Sequence, residues 1–465
     1  MSMSLRICTP AFREGLRDLY PGLGDEPAYW NMMGALTLPG FVEKATGRIV
    51  IARAYLADIE GKTEQFRKDP KSYSGERFLK RFKRDVLPDF EYSGWSYADG
   101  LARTVERAQL HPNVSRLQED LFNTLGNGHI EKVSLDTGRR ITRQVRADQR
   151  RHLLEHIAAL PRGVGQNIVD YHNDLNVTAF TAKVRENMAD AMAYVRAMPA
   201  ATETERRRRD QAMAHLIHID QEPKPYLRSV ERSDRLYWVL PSLQSVQSEV
   251  RRILTRGWYE YDLKSAHAAI LAKLWGVSEL TEVLTQGSLW QHLADELEVD
   301  LPSAKDGIKE GFYALAFGAG NPMVKKSIEA ETGDADLAER FLAAPLIKTL
   351  LKHRQRRVDE IKRDGGLVTH FGNRIEVATN KEARSALARE TQAVELALIR
   401  PIYRLAPRFP ATKTFTVMIY SFDGVTITYH RKDRIARLEQ QIKEAVKKKA
   451  DELGILTELE GGKLT

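Results

Sequence analysis

The spacing of apolar positions changes repeatedly along this chain, and each change predicts an element. Residues 1–135 alternate short helix-like and strand-like stretches, with loops around Pro21 and Pro27 and around Gly126 and Gly128. Arg139, Arg143, Arg146 and Arg150 then recur at helical spacing. They are expected on one face of a helix that runs on through Leu153, Leu154 and Ile157. Two further helical segments are expected over 176–197 and 203–218. The second carries Arg206 to Arg209, which must point all round it. Trp258 to Asp262 is an aromatic-rich run of strand character, and the apolar residues after Ser265 begin a helix. Asp262 is therefore expected at a strand end, beside a helix N-terminus. Helical periodicity continues over 277–363, Gly365 and Gly366 break it, and 367–371 reads as a strand before a Gly372-Asn373 turn. A long helix over 381–403 follows. The runs 415–422 and 425–430 predict two strands joined at Asp423-Gly424, a strong two-residue hairpin signal. A helix over 431–452 and a short strand over 455–459 complete the pattern.

Composition bounds the classes. A chain of 465 residues is too long for one small core, so two or three subdomains are expected. The 42% hydrophobic content is that of an ordinary globular protein. The net charge of +8 favours a polyanionic partner, nucleic acid first and a membrane surface second. The single cysteine, Cys8, excludes disulfides within the chain and zinc ribbons. No apolar run approaches the ~18 residues of a membrane span, and residues 1–13 lack the long apolar segment of a signal peptide. A cytoplasmic protein without a membrane partner is expected.

Three features carry chemistry. Asp262 and Asp423 stand in different strand contexts, and Lys305, Lys309, Tyr313 and Phe317 share a helix face at i, i+4, i+8 and i+12. Two carboxylates can hold two divalent cations, and spaced lysines can hold a triphosphate. Nucleotidyl transfer needs that combination. Each feature alone has a plain alternative. Asp-Gly is a common turn, an aspartate after a strand often caps a helix, and a lysine helix can be a surface helix whose aromatics pack inward.

Order and context change the weighing. From about residue 233 to the C-terminus, the chain resembles the family A DNA polymerases. Ser233-Asp234-Arg235-Leu236 with Pro241-Ser242-Leu243-Gln244 is similar to that family's Thr-Gly-Arg-Leu and Pro-Asn-Leu-Gln segment. The run from Asp262 to Leu274 resembles motif A, and Lys305-x3-Lys309-x3-Tyr313-Ala314-x2-Phe317-Gly318 resembles motif B. The run from Gly366 to Arg374 resembles the palm hairpin, Arg384 and Gln392 keep a spacing of the next palm helix, and Met418 to Ile427 resembles motif C.

The resemblance implies an α+β right-hand polymerase with an antiparallel palm sheet, helical fingers and a helical thumb. It divides the chain into 1–135 of unread role, a thumb-like 136–225, palm with motif A over 226–275, fingers over 276–365, and palm with motif C over 366–465. It implies a template-directed DNA polymerase that extends a primer 3′ end with deoxynucleotides in phage or plasmid replication or repair. Asp262 and Asp423 would bind two magnesium ions, which manganese could replace, with the backbone carbonyl of Leu263 as a further ligand. Lys309 and Lys305 would hold the β- and γ-phosphates, Lys309 in a catalytic role. Tyr313 would lie along the sugar and triphosphate, and Phe317 would stack near the new base pair. Arg235, Gln244, Arg384 and Gln392 would touch the primer–template. The implied partners are primer–template and nucleoside triphosphates; protein partners such as a helicase or processivity factor are left open.

Departures from the family pattern matter as much. His267 stands where motif A has a glutamate that blocks a ribose 2′-hydroxyl and where related RNA polymerases have glycine. A ring there predicts deoxynucleotide preference; the alternative is a hydrogen bond from His267 to that hydroxyl. Phe422 and Gly424 replace motif C histidine and glutamate, and Trp290 stands near the place of a fingers histidine. The nearest alternative function is an RNA-synthesising polymerase, and the next is a non-catalytic nucleic-acid-binding protein. No exonuclease is legible: Asp58-Ile59-Glu60 matches only the first of the separated carboxylate motifs such a domain needs.

Overall fold

The computed structural model describes residues 7–43, 48–69, 73–94, 102–124, 130–230, 233–239, 242–406 and 414–465. The chain passes repeatedly between two units. The first takes Met1–Ala159, Leu175–Tyr226 and Trp238–Arg256, and the second takes Leu160–Asp174, Leu227–Tyr237 and Gly257–Thr465. Gly126, Gly128 and Pro241 lie outside the described residues. Among the described residues, no helix is long and apolar enough to cross a membrane.

The first unit is mainly helical, with a small antiparallel sheet in which Ala102–Arg107 lies between Val50–Ala52 and Glu91–Tyr92. Its helices start where the sequence supplies caps. Thr202 and Glu205 form a reciprocal capping box at the head of Glu203–Gln221. The helix expected over 176–197 is two helices, Val177–Arg185 and Met188–Ala197. Asn187 sits at the break and turns its amide away from the helix, donating to the carbonyls of Leu254 and Arg256 at 3.3 and 3.1 Å.

The arginine stripe is shorter than the spacing predicts. Thr142 caps the helix Arg143–Ala158, its hydroxyl accepting from Val145 N–H, so Arg139 lies before the helix and not on its face. Arg146 donates to the backbone and side-chain oxygens of Gln221, and Arg150 pairs with Glu222. Arg206 and Arg207 both bind Glu203, and Arg209 faces Glu119. Arg150, Arg206, Arg207 and Arg209 are thus paired with carboxylates of the same unit.

The second unit is built on a four-stranded antiparallel sheet. The strand order is Phe415–Tyr420, Gly424–Tyr429, Tyr259–Leu263, Leu459–Lys463. The last strand starts four residues later than 455, because Ile455 N–H folds back to Ala450 O and closes the end of the helix Ile435–Leu453. The long helix Asn380–Leu405 starts at a Thr379–Glu382 capping box and is largely buried. The helix Gln166–Asn173 braces the sheet: Tyr171 Oη accepts from Val417 N–H at 3.0 Å, and His172 Nε2 meets Tyr403 Oη at 2.8 Å.

Helices over 266–363 form a second apolar core that includes Phe312, Leu315, Ile328 and Phe341. The lysine helix, Leu301–Ala316, approaches Asn321–Thr332 closely. A Cβ on Gly311 would lie 2.6 Å from Ile328 Cδ1, so glycine permits the contact. This packing fixes which face of the lysine helix is left for chemistry.

Candidate active site

The two aspartates are brought together by strand pairing. Gly424 is the cross-strand partner of Asp262, and Leu263 N–H donates to Asp423 O at 2.9 Å. The hairpin differs in detail from the sequence expectation. Phe422 and Asp423 form the two-residue loop, closed by Ser421 N–H to Gly424 O at 2.9 Å, and Gly424 is already in the strand. The residue with positive φ is Phe422, at +62°. Glycine is needed at 424 for another reason: a Cβ there would fall 1.8 Å from Asp262 Oδ1. The carboxylate of Asp262 therefore lies over the bare backbone beside Asp423. Ser265, which ends the loop after Asp262, also has positive φ, at +48°. Of the three described non-glycine residues with positive φ, two lie within three residues of an aspartate of this pair, the kind of backbone strain that collects at functional sites.

A cleft of about 450 Å³ opens beside Asp423, lined by Arg235, His267, Glu310, Tyr313, Ala314, Phe317 and Asp423; Asp262 does not line it. Its wall is aromatic. The His267 ring makes edge contacts with Tyr313 and Phe317, with centroids 5.4 and 5.0 Å apart. Behind the wall lies a charged network. Arg235 grips Glu395 in two hydrogen bonds, Nε to Oε2 at 2.9 Å and Nη2 to Oε1 at 3.1 Å. Its Nη2 also donates to His267 Nε2 at 3.1 Å, and its guanidinium lies over the rings of Phe317 and Phe422 at 5.1 and 4.6 Å. Glu395 is wholly buried, at 0% exposure.

Burial dominates the electrostatics. It pushes the Asp423 carboxyl up to about 6, with Glu395 adding to the rise. It also lowers His267 to about 4, aided by the Arg235 charge. Tyr313 is pushed up to about 12 by burial and by the carboxylates around it, Asp423 first. The Glu395 carboxyl is raised by burial and pulled back by Arg235.

His267, Glu395 and Asp423 present ligand atoms within 4.8 Å of one another. That cluster does not need a metal to balance it, because the Arg235 guanidinium already bonds two of its three members. A better fit for hard cations is the pair Asp262 and Asp423. Both offer carboxylate oxygens from adjoining strand ends, and the bare Cα of Gly424 leaves the Asp262 carboxylate its place.

None of the other predicted residues lines the cleft. Lys309 is one turn before Tyr313 and has its Nζ 5.7 Å from the Trp290 ring centre; Trp290 in turn meets Tyr313 at 6.0 Å. Lys305 is a further turn away, exposed, and does not line the cleft. Gln392 accepts a hydrogen bond from Ser233 Oγ at 2.7 Å. Arg384 is half-buried, and its backbone carbonyl is close to Gly318. Gln244 belongs to the first unit, in the short turn Leu243–Ser245. Glu395 and Glu310 were not singled out by sequence reasoning. A signal for Glu395 exists: it is the one carboxylate in the apolar run from Ala393 to Ile399, and a buried charge requires a partner.

Neither a family model nor a curated protein matches this chain. Among solved structures, the chain is similar to the polymerase domain of Pol1 from M. smegmatis, in complex with DNA primer-template and dNTP. The similarity has a TM-score of 0.42 and 14% identity, and it covers 62% of this chain and 66% of that one, just under two thirds of the matched domain.

Proposed function

We propose that the second unit catalyses template-directed nucleotidyl transfer: a primer 3′-oxygen attacks the α-phosphorus of a nucleoside triphosphate, the α–β P–O bond breaks, and pyrophosphate leaves. The observation that carries this reading is the meeting of Asp262 and Asp423 across Gly424. The sequence resemblance makes the enzyme a DNA polymerase of right-hand type, with palm, fingers and thumb divided as above.

In this reading Asp262 and Asp423, with the Leu263 carbonyl, would hold two divalent cations, magnesium or manganese. Bound there, such ions lower the pKa of the 3′-hydroxyl and neutralise the leaving pyrophosphate. The rest falls to the chain's own residues. Lys309 and Lys305 bind the phosphates as cations on one helix face. Tyr313 and Phe317 give the nucleotide a flat apolar wall and exclude water from it. Arg235, tied to Glu395, buttresses that wall and keeps the His267 ring in place. Arg384 and Gln392 on the long helix meet the nucleic acid; the sequence resemblance gives Gln244, in the first unit, the same kind of role.

The test is primer extension with purified full-length chain in magnesium. Asp262→Ala and Asp423→Ala should each abolish incorporation while primer–template binding changes little. Near-normal extension by either variant removes the assignment.

A further inference from the structure

The lysine helix ends in a turn that carries Phe317, a residue of the cleft wall. Gly318 follows it with φ of +82°; its N–H bonds Leu315 O at 3.0 Å, and Ala319 N–H bonds Ala314 O at 2.9 Å. A Cβ on Gly318 would lie 2.8 Å from Arg384 O, so the turn is pressed against the backbone of the helix Asn380–Leu405. A third helix, Pro345–Arg363, reaches the same turn with Arg354. Arg354 Nη1 donates to Leu315 O at 3.1 Å and to Ala319 O at 2.8 Å. Both hydrogens of one nitrogen thus go to the carbonyls on either side of Phe317.

Packing does not account for an arginine at this place. Arg354 is buried, at 8% exposure, and among the described residues no carboxylate opposes its charge. Burial lowers its pKa to about 10, and the Arg384 charge adds to the fall. A buried cation without a counter-ion costs stability, and a methionine would fill much of the same space without that cost. What the arginine adds is a tie between the last helical turn and the chain just past it. The Phe317 ring held by that tie meets His267 at 5.0 Å and the Arg235 guanidinium at 5.1 Å.

We propose that Arg354 is a positioning residue for the nucleotide wall: by tying Leu315 to Ala319 it sets where the Phe317 ring stands in the cleft, and through that ring how tightly the incoming nucleotide is held. This rests on the nucleotidyl-transfer reading above, in which Arg354 has no part. Arg354 does not line the cleft, so it touches no nucleotide itself. Its effect passes through Phe317 and falls on nucleotide binding, not on the chemical step at Asp262 and Asp423.

The experiment is a double-mutant cycle on the full-length chain, with Arg354→Met, Phe317→Ala and the pair, read by single-nucleotide incorporation of dATP. Arg354→Met should raise the apparent KM for dATP about ten-fold, the worth of one hydrogen bond, with kcat held within about two-fold and primer–template affinity unchanged. Added to Phe317→Ala, the same change should move KM by less than about two-fold, because the ring that Arg354 positions is gone. Arg354→Lys keeps several hydrogens on one nitrogen and should fall between Arg354→Met and wild type. An unchanged KM in Arg354→Met, a loss confined to kcat, effects that multiply in the pair, or an Arg354→Lys no better than Arg354→Met overturns the proposal. Should Arg354→Met fail to fold by circular dichroism, Arg354→Gln, whose amide nitrogen reaches about two bonds less far, carries the cycle in its place. If neither folds, Arg354 only supports the fold and the proposal fails. A wild type that incorporates no nucleotide overturns the nucleotidyl-transfer reading instead. The tie is then judged by the Phe317 ring in crystals of Arg354→Met: displaced by about 1 Å or more the tie stands, and unmoved it falls.

Discussion

Gly424 stands directly across the sheet from Asp262, and a hydrogen is all that fits between them. An alanine methyl would fall 1.8 Å from the Asp262 Oδ1 position, so the carboxylate would have to swing away. We expect Gly424→Ala to fold with a lowered melting temperature, because the methyl would also fall 2.8 Å from the backbone oxygen of Tyr261, which cannot swing aside as the exposed Asp262 carboxylate can. Nucleotide incorporation should fall by about 100-fold or more, the scale of a misplacement of about 1 Å at a reacting centre. Unchanged single-turnover rates would show that the Asp262 carboxylate need not occupy that place.

The Arg235–Glu395 pair predicts a stability effect. Glu395→Leu would leave the guanidinium largely buried without its carboxylate, at a cost of about 3–5 kcal/mol. Glu395→Gln keeps an acceptor for Arg235 and should cost clearly less. Urea unfolding monitored by circular dichroism ranks the two. If Leu were tolerated as well as Gln, the pair would not support the cleft.

Lys309→Ala should raise the apparent KM for nucleotide and lower the incorporation rate, together by about 10- to 100-fold, as expected for a lost charged hydrogen bond. Lys305→Ala should act in the same direction and less, because Lys305 is a turn farther from Tyr313 and exposed. Pre-steady-state kinetics at saturating primer–template separate binding from rate. No change in either variant would make this a plain surface helix.

Asp210 in the first unit gives a pH test away from the candidate centre. Burial raises its carboxyl from about 3.8 to about 6, against the pull of Arg209. An acid with a raised folded-state pKa favours the folded state below its unfolded value and opposes it as pH rises through the folded one. Asp210→Asn should therefore raise the melting temperature at pH 8 and leave it nearly unchanged at pH 4. Equal shifts at both would show that the carboxylate is solvated.

How much of this was legible in the chain depends on how local each signal is. Asp262 and Asp423 were readable because strand and turn signals adjoin them. The helix carrying Lys305 to Phe317 was readable from its period. Gly424 was misread: Asp-Gly suggests a turn glycine, but the positive φ falls on Phe422, and the demand for glycine comes from a strand more than 160 residues earlier. The same limit hid Glu395, whose partner Arg235 is 160 residues away. Arg139 was assigned to a helix by spacing alone, although Thr142, a capping residue, intervenes. Periodicity describes one face of one element and says nothing of what another element brings to it.

The left-handed backbone at Ser265 has a practical consequence for anyone seeking a sturdier protein. A non-glycine residue at such φ costs roughly 1–2 kcal/mol, so Ser265→Gly relieves strain and should gain heat tolerance. The same change loosens the turn that follows Asp262. A library screened for thermal survival alone would enrich this variant and select, unnoticed, for slack at the candidate site; nucleotide incorporation has to be scored in the same round.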